Sequence, residues 1–248
     1  MKPLILAHRG ASAYAPENTL AAFNLAFEMG AAGIELDARL TKDGVPVVIH
    51  DGSLERTTDG HGAIHALTLE EVKRLDAGIW FDSRFRGEKV LTLVQALTAI
   101  AGRGLVNVEL KSVTLQTDGI EAAVVKAIED THTSDRVIVS SFNPFTLYRV
   151  SILNSRLPRG LLYSGDLPIY LRRAWLRPLA RPTALHPKWP LIDERYVAWA
   201  RGKGYQINAW TVDDPDEMRR LVALGVDGIM TNKPDVLRRV LTGSASPG

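Results

Sequence analysis

The sequence predicts an α/β protein, a (β/α)8 (TIM) barrel with a small inserted lobe after the hairpin that follows its second strand. Three observations predict it. Eight short apolar runs, holding His8, Glu35, Glu109, Ser140, Leu162, His186, Trp210 and Met230, alternate with stretches of helical spacing. The 248 residues suit one such barrel, although two smaller domains would also fit that length. Several of the runs end in polar residues, as expected where barrel strands open at a common mouth.

Leu4 to Ala7 reads as a buried strand ending in His8-Arg9-Gly10. Pro16-Glu17-Asn18-Thr19 leads into a helix over Leu20 to Met29, with Asn18 as its expected N-cap and Gly30 as its stop. Gly33-Ile34-Glu35-Leu36-Asp37 comes next, and a strand alternates its faces. Glu35 and Asp37 therefore point one way, Ile34 and Leu36 the other. Val45 to His50 is apolar again, and the Thr41-Lys42-Asp43-Gly44 turn is too short to return a parallel strand, so Val47 to Asp51 is expected to run antiparallel. Folding about that turn brings His50 opposite Asp37, within about one residue of register.

From Gly52 to Lys89 the pattern loosens around one short helix, Leu69 to Leu75, and residues 52–89 are read as the inserted lobe. Alternation resumes at Thr92. Strand Val106 to Leu110 precedes helix Asp118 to Asp130, strand Val137 to Ser141 precedes helix Pro144 to Leu153, and strand Gly160 to Tyr163 precedes helix Leu167 to Leu176. Strand Ala184 to His186 is followed by helix Glu194 to Lys203, strand Gln206 to Thr211 by helix Pro215 to Leu224, and strand Gly228 to Thr231 by helix Asp235 to Leu241. One domain thus spans 1–242, and 243–248 is expected to be a flexible tail.

Composition narrows the function. A net charge of +2 gives no reason to expect nucleic acid as a partner. The absence of Cys removes disulfides, thiolate metal sites and thiol catalysis together. His8-Arg9 interrupts the N-terminal apolar run before it reaches signal-peptide length, and the longest stretch free of charged residues, Val90 to Gly102, is too short to span a bilayer. A cytoplasmic protein without stable membrane insertion is expected; a homodimer is left open.

The strand ends would gather His8, Arg9, Glu35, Asp37, Glu109, Lys111, Ser140, Ser141, Trp210, Thr231 and Asn232 at one mouth. Glu109 and Lys111 share a face for the same reason as Glu35 and Asp37. Three carboxylates without a thiolate make a hard-oxygen site, suited to Mg²⁺ or Ca²⁺. Arg9 and Lys111 beside a divalent cation imply an anionic substrate such as a phosphoryl group. Two histidines there supply acid and base near neutrality, so the chemistry reads as metal-dependent hydrolysis of a phosphoester. Each piece has a plainer alternative. His8 and His50 could be hydrogen-bonded core histidines, Glu109 and Lys111 an ion pair; His61, His65 and His132 read as loop residues. His186 is balanced between lining the pocket and packing beneath it.

These residues also carry a family resemblance. His8-Arg9-Gly10, Pro16-Glu17-Asn18-Thr19, Gly33 to Asp37, Thr41 to Gly44, Val47-Val48-Ile49-His50-Asp51 and Arg56-Thr57-Thr58 resemble the N-terminal signature of glycerophosphodiester phosphodiesterases of the cytoplasmic bacterial type. Glu109-Leu110-Lys111, Ser140-Ser141-Phe142, Trp210-Thr211-Val212 and Asp227 to Asn232 continue it in order. The resemblance implies a TIM barrel, with Glu35, Asp37 and Glu109 as ligands of Mg²⁺ or Ca²⁺ and His8 and His50 as the acid/base pair. It places Arg9 and Lys111 on phosphate and Trp210 beside the glycerol or alcohol moiety. The implied substrate is a small glycerophosphodiester, cleaved to sn-glycerol 3-phosphate and an alcohol.

Three rivals use the same residues differently. A lysophospholipase D-type enzyme would act on lipid; Leu167 to Pro182, where Arg172, Arg173, Arg177 and Arg181 interleave with Tyr170, Leu171, Trp175 and Leu176, bears on it. A non-catalytic barrel could bind phosphorylated ligands, although it would not need both histidines. A sugar isomerase or aldolase would need a neutral lysine, which Lys111 beside Glu109 does not offer.

Overall fold

Nine strands form one sheet in a computed structural model of the chain, which describes residues 2–112, 114–172 and 174–243. They are β1 (Leu4–His8), β2 (Gly33–Leu40), β3 (Pro46–Val48), β4 (Leu105–Leu110), β5 (Val137–Ser141), β6 (Arg159–Tyr163), β7 (Ala184–Pro187), β8 (Gln206–Ala209) and β9 (Gly228–Thr231). All but β3 run parallel, and β1 pairs with both β2 and β9, closing an eight-stranded barrel. β2 outruns β1: β1 occupies Gly33 to Glu35, and the antiparallel β3 takes the edge at Ala38 to Leu40. The hairpin is therefore a local addition at the barrel mouth. Ile49 donates its backbone N–H to Asp37, so His50 lies one residue past the expected partner, within the expected margin.

Ten α-helices are described: α1 (Leu20–Glu28), α2 (Leu69–Arg74), α3 (Leu93–Ile100), α4 (Ile120–Asp130), α5 (Pro144–Leu153), α6 (Ile169–Arg172), α7 (Arg177–Ala180), α8 (Glu194–Gly202), α9 (Pro215–Leu224) and α10 (Pro234–Thr242). Their starts follow local chemistry. Thr92 and Gln95 form a reciprocal capping box on α3; Asp214 caps α9 through the N–H groups of Asp216 and Glu217, with Pro215 preset for the first turn. The outward faces of the strands and the inward faces of the helices make the core, where Ile34, Leu36, Val108 and Val139 meet Phe23 and Ile128 without exposure. Ile34 and Leu36 thus face away from Glu35 and Asp37 as alternation requires.

Two sequence expectations are corrected. The cap of α1 is Thr19, which accepts from the N–H of Ala22, and not Asn18. Asn18 adopts a left-handed backbone (φ 62°) and gives its amide to Asp37 instead. The single helix expected over Leu167 to Leu176 is replaced by two short ones, α6 and α7. α6 ends at Arg172, the chain turns at Ala174 (φ 49°), and α7 starts beyond the expected helix with Pro178 in its first turn, where a missing N–H costs nothing. Arg173 and the tail 244–248 lie outside the described residues, as do the side chains of Tyr170 and Leu171.

Residues 52–89 contain α2 and two 3₁₀ turns, Ile64–Ala66 and Ser83–Phe85. Leu54, Ile64, Val72 and Ala77 build a second small core with Val47, Ile49 and Val90, which ties this segment to the hairpin. Inside the barrel the side chains are bulky and the glycines give them room. A Cβ at Gly160 would lie 2.4 Å from the His186 ring, and one at Gly228 would lie 2.5 Å from Asn208. No helix among the described residues is long and apolar enough to cross a membrane.

Candidate active site

The strand registers bring the acidic residues together. In the β2–β4 pair, Asp37 sits beside Glu109 and Glu35 beside Asn107, and β1 sets His8 beside Glu35. Glu35, Asp37 and Glu109 are all buried and each offers a carboxylate oxygen within 4.8 Å of the others. Lys111 reaches two of them, with Nζ 2.6 Å from Glu109 Oε1 and 3.0 Å from Asp37 Oδ1. Arg9 Nε lies 3.2 Å from Asp37 Oδ2, which also accepts from the Asn18 amide at 2.9 Å. The backbone N–H of Arg9 donates to Glu35 Oε2 at 3.2 Å.

Two cations thus face three buried carboxylates. Burial, with Asp37 and Glu109 adding repulsion, pushes the Glu35 carboxyl well above its ordinary range. Burial also raises Glu109, which Lys111 only partly offsets. At Asp37 burial works in the same direction, but Lys111 and Arg9 outweigh it and hold the group well below the usual carboxylate range. Further positive charge at the cluster would favour ionisation of all three. A set of converging hard oxygens short of positive charge fits a divalent cation such as Mg²⁺ or Ca²⁺.

The two histidines are braced alike from different elements. His8, the last residue of β1, places Nδ1 2.7 Å from Asn232 Oδ1, and the Asn232 amide donates to Asp213 Oδ2 at 2.6 Å. Because that amide oxygen can only accept, His8 carries its proton on Nδ1 and turns Nε2 toward Glu35, 3.9 Å from Oε2. His50, past the end of β3, places Nδ1 2.6 Å from Asp51 Oδ1, which likewise leaves Nε2 free. Burial, reinforced by Arg9, lowers His8 to about 4, and burial lowers His50.

These groups line a cavity of about 210 Å³. His8, Arg9, Glu35, His50, Glu109 and Lys111 form its charged side; Phe142, Leu162, Trp210 and Met230 form the other. Trp210 is fixed there by its indole N–H, which donates to the His186 carbonyl at 2.6 Å, and by an edge-to-face contact with Phe142 at 5.4 Å between ring centres. Of the strand-end polar residues, Ser140, Ser141 and Thr231 are buried; Ser141 donates to the Leu110 carbonyl and Thr231 to Asp213. His186 is fully buried beneath the cavity against the Asn208 amide, which settles its placement; His61, His65 and His132 are exposed.

Sequence reasoning gave no role to Asn232, Asp213, Asp51, Arg56 or Glu17. Asp51, Arg56 and Glu17 stand within the recognised motifs, yet spacing alone does not show that Arg56 meets Glu17. Asn18 was assigned to the wrong partner, although its tolerance of a left-handed backbone was a usable signal.

Comparison with known proteins agrees with this geometry. The profile of the Glycerophosphoryl diester phosphodiesterase family matches residues 8–236. A glycerophosphodiester phosphodiesterase of Caldanaerobacter subterraneus subsp. tengcongensis is 44% identical over 239 residues, covering 96% of this chain and 97% of that one. A glycerophosphodiester phosphodiesterase of Bacillus subtilis is 32% identical, over 97% of this chain and 87% of its own. Among solved structures, an Oleispira antarctica phosphodiesterase in complex with the product sn-glycerol-3-phosphate superposes with a TM-score of 0.89 at 32% identity, over 97% of each chain. A profile match over nearly the whole chain, relatives at this identity and a shared barrel agree: the chain belongs to the glycerophosphoryl diester phosphodiesterase family of enzymes.

Proposed function

We propose that this protein hydrolyses small glycerophosphodiesters, such as glycerophosphocholine or glycerophosphoethanolamine, to sn-glycerol 3-phosphate and the free alcohol. One observation carries the reading: of three clustered, buried carboxylates two line a single cavity together with two cations and two histidines. We take residues 1–242, with the 52–89 lobe, as one catalytic domain.

Glu35, Asp37 and Glu109 would hold Mg²⁺ or Ca²⁺. Such an ion supplies charge stabilisation at a phosphate oxygen and acidifies the neighbouring glycerol hydroxyl. Arg9 and Lys111 hold the phosphate and offset its charge as it grows. One histidine takes the hydroxyl proton on Nε2 as that oxygen bonds to phosphorus, and the other, which enters the step as imidazolium protonated on both nitrogens, gives its Nε2 proton to the alcohol as its bond to phosphorus breaks. Water then opens the cyclic phosphate with the two roles reversed: the second histidine takes the proton of water and the first returns one to the glycerol hydroxyl. Trp210 and the apolar wall keep bulk water from the reacting atoms and orient the glycerol or alcohol moiety.

Phosphorus NMR of the protein with glycerophosphocholine in Mg²⁺, in Ca²⁺ and in EDTA, beside Glu35→Ala, tests this. Glycerol 3-phosphate should form with metal and vanish in EDTA and in the variant. Phosphocholine as product would mean the other P–O bond is cut and the mechanism is wrong. Turnover of a lysophospholipid in its place would transfer the reading to the lipid-directed alternative.

A further inference from the structure

Glu17, Asp51 and Arg56 have no part in the chemistry above, yet they form an unbroken chain of charge-assisted hydrogen bonds across the mouth. Asp51 Oδ1 lies 2.6 Å from His50 Nδ1, and Asp51 Oδ2 accepts from Arg56 Nε at 2.6 Å. The other two nitrogens of Arg56 fork onto Glu17, each at 2.8 Å. Glu17 Oε1 also accepts from Arg9 at 2.9 Å, and Arg9 in turn meets Asp37. The chain therefore runs from His50 to Arg9 and the buried Asp37.

We infer that Arg56 and Glu17 are positioning residues, which act through Asp51 to fix the ring orientation and tautomer of His50. This rests on the use of His50 proposed above. The two histidines differ in how much the barrel does for them. His8 belongs to β1, whereas His50 follows the last paired residue of β3, and its ring is 31% exposed. The segment is tied to the barrel through its backbone, by Ile49 N–H to Asp37 and by the His50 carbonyl accepting from Arg39; the ring's described polar contact is Asp51. A carboxylate on the next residue could swing with the ring. Arg56 prevents this by gripping Asp51 and Glu17 at once, which the planar guanidinium can do and an ammonium cannot. The plainer account is a surface ion pair, since Arg56 is 43% exposed and such pairs contribute little.

The test is a set of double-mutant cycles on glycerophosphocholine with saturating Mg²⁺. Arg56→Met, Arg56→Lys and Asp51→Asn are each made in the wild type and in His50→Ala. In the wild type each should lower kcat roughly 10- to 100-fold, the range for residues that orient a functional imidazole, with KM held within about threefold. Lysine should fail to rescue. In His50→Ala the same substitutions should cost nothing more, because the residue they act through is gone. An equal loss in both backgrounds, or a raised KM at unchanged kcat, overturns the inference. A second readout is independent of turnover: imidazole nitrogen NMR should show His50 protonated on Nδ1 in the wild type and as a mixture of tautomers in Arg56→Met. An unchanged spectrum overturns the positioning role. Full activity in His50→Ala would instead sink the proposed use of His50 in catalysis, while the spectrum still decides the strut.

Discussion

The mouth of the barrel and the layer just beneath it are both polar, but on opposite terms. At the mouth, β1, β2 and β4 present His8, Glu35, Asp37 and Glu109, with Lys111 just past β4, and carboxylates outnumber the cations beside them. Below, β5, β7 and β8 present Ser140, His186 and Asn208, all buried and none carrying a full charge; burial lowers His186 to about 3. Charge is placed only where an ion and a substrate can reach it. Neutral polar groups fill the depth, where a charge would stay desolvated in every state of the protein. The mouth is therefore held against its own electrostatics by the fold, and the layer beneath is shaped by packing.

Substitution at Glu35 breaks this contrast most sharply. Glu35→Gln keeps the shape and removes one of three clustered acids. Activity on glycerophosphocholine should fall by roughly a hundred- to a thousandfold, as a missing electrostatic contact in the transition state does. The melting temperature in EDTA should rise at the same time, because burying this acid costs stability whether it stays ionised among like charges or takes up a proton to avoid them, and the amide does neither. Lower stability together with lost activity would show that Glu35 supports the fold, and the contrast would collapse.

Metal addition should sharpen the same contrast. An ion that binds only the folded state stabilises it by about 2.7 kcal/mol at a hundred times its dissociation constant. A thermal melt of the wild type should shift upward with Mg²⁺ or Ca²⁺ on that scale, and Glu35→Gln should shift much less. Equal shifts in the two proteins would place the ion elsewhere.

How far these regions could be read in advance follows from the same physics. Strand parity is a local property, so Glu35 with Asp37, and Glu109 with Lys111, were legible as shared faces, and hydrophobic alternation gave the barrel. Depth is not local. Parity turns His186 inward but does not say whether it meets the cavity or packs under it; that depends on Gly160 next door leaving space for its ring. Asn18 and Thr19 are both good caps, and the choice between them was made by Asp37, which needed the Asn18 amide. The Arg56–Glu17 fork joins segments 39 residues apart, a pairing no periodicity encodes.

The packed layer should respond to volume where the mouth responds to charge. Gly160→Ala would set a methyl 2.4 Å from the His186 ring, in a place where the ring is fully enclosed. Overpacking of this kind costs roughly 1–3 kcal/mol, and with no room to move the ring the loss should fall near the upper end. Urea denaturation should show it as a lower midpoint at unchanged slope. A neutral result would mean the interior is loosely filled.

His186 gives the smallest effect and the most specific one. Its folded pKa of about 3 lies below the ordinary 6.5 because burial disfavours the imidazolium. Above pH 6.5 neither state of the chain is protonated there, and the group contributes no pH dependence. As pH falls below 6.5 the unfolded chain takes up a proton that the folded one refuses, so stability declines toward acid by about 1.4 kcal/mol per unit. The decline continues until the folded group also protonates, near pH 3. The difference in unfolding free energy between wild type and His186→Gln, taken at pH 7.5 and again at pH 5.5, cancels the carboxylates common to both. The wild type should lose about 1.4 kcal/mol relative to the variant over that interval. A difference that stays constant would mean His186 can charge in place, and the layer beneath the mouth would then carry the same kind of electrostatic load as the mouth itself.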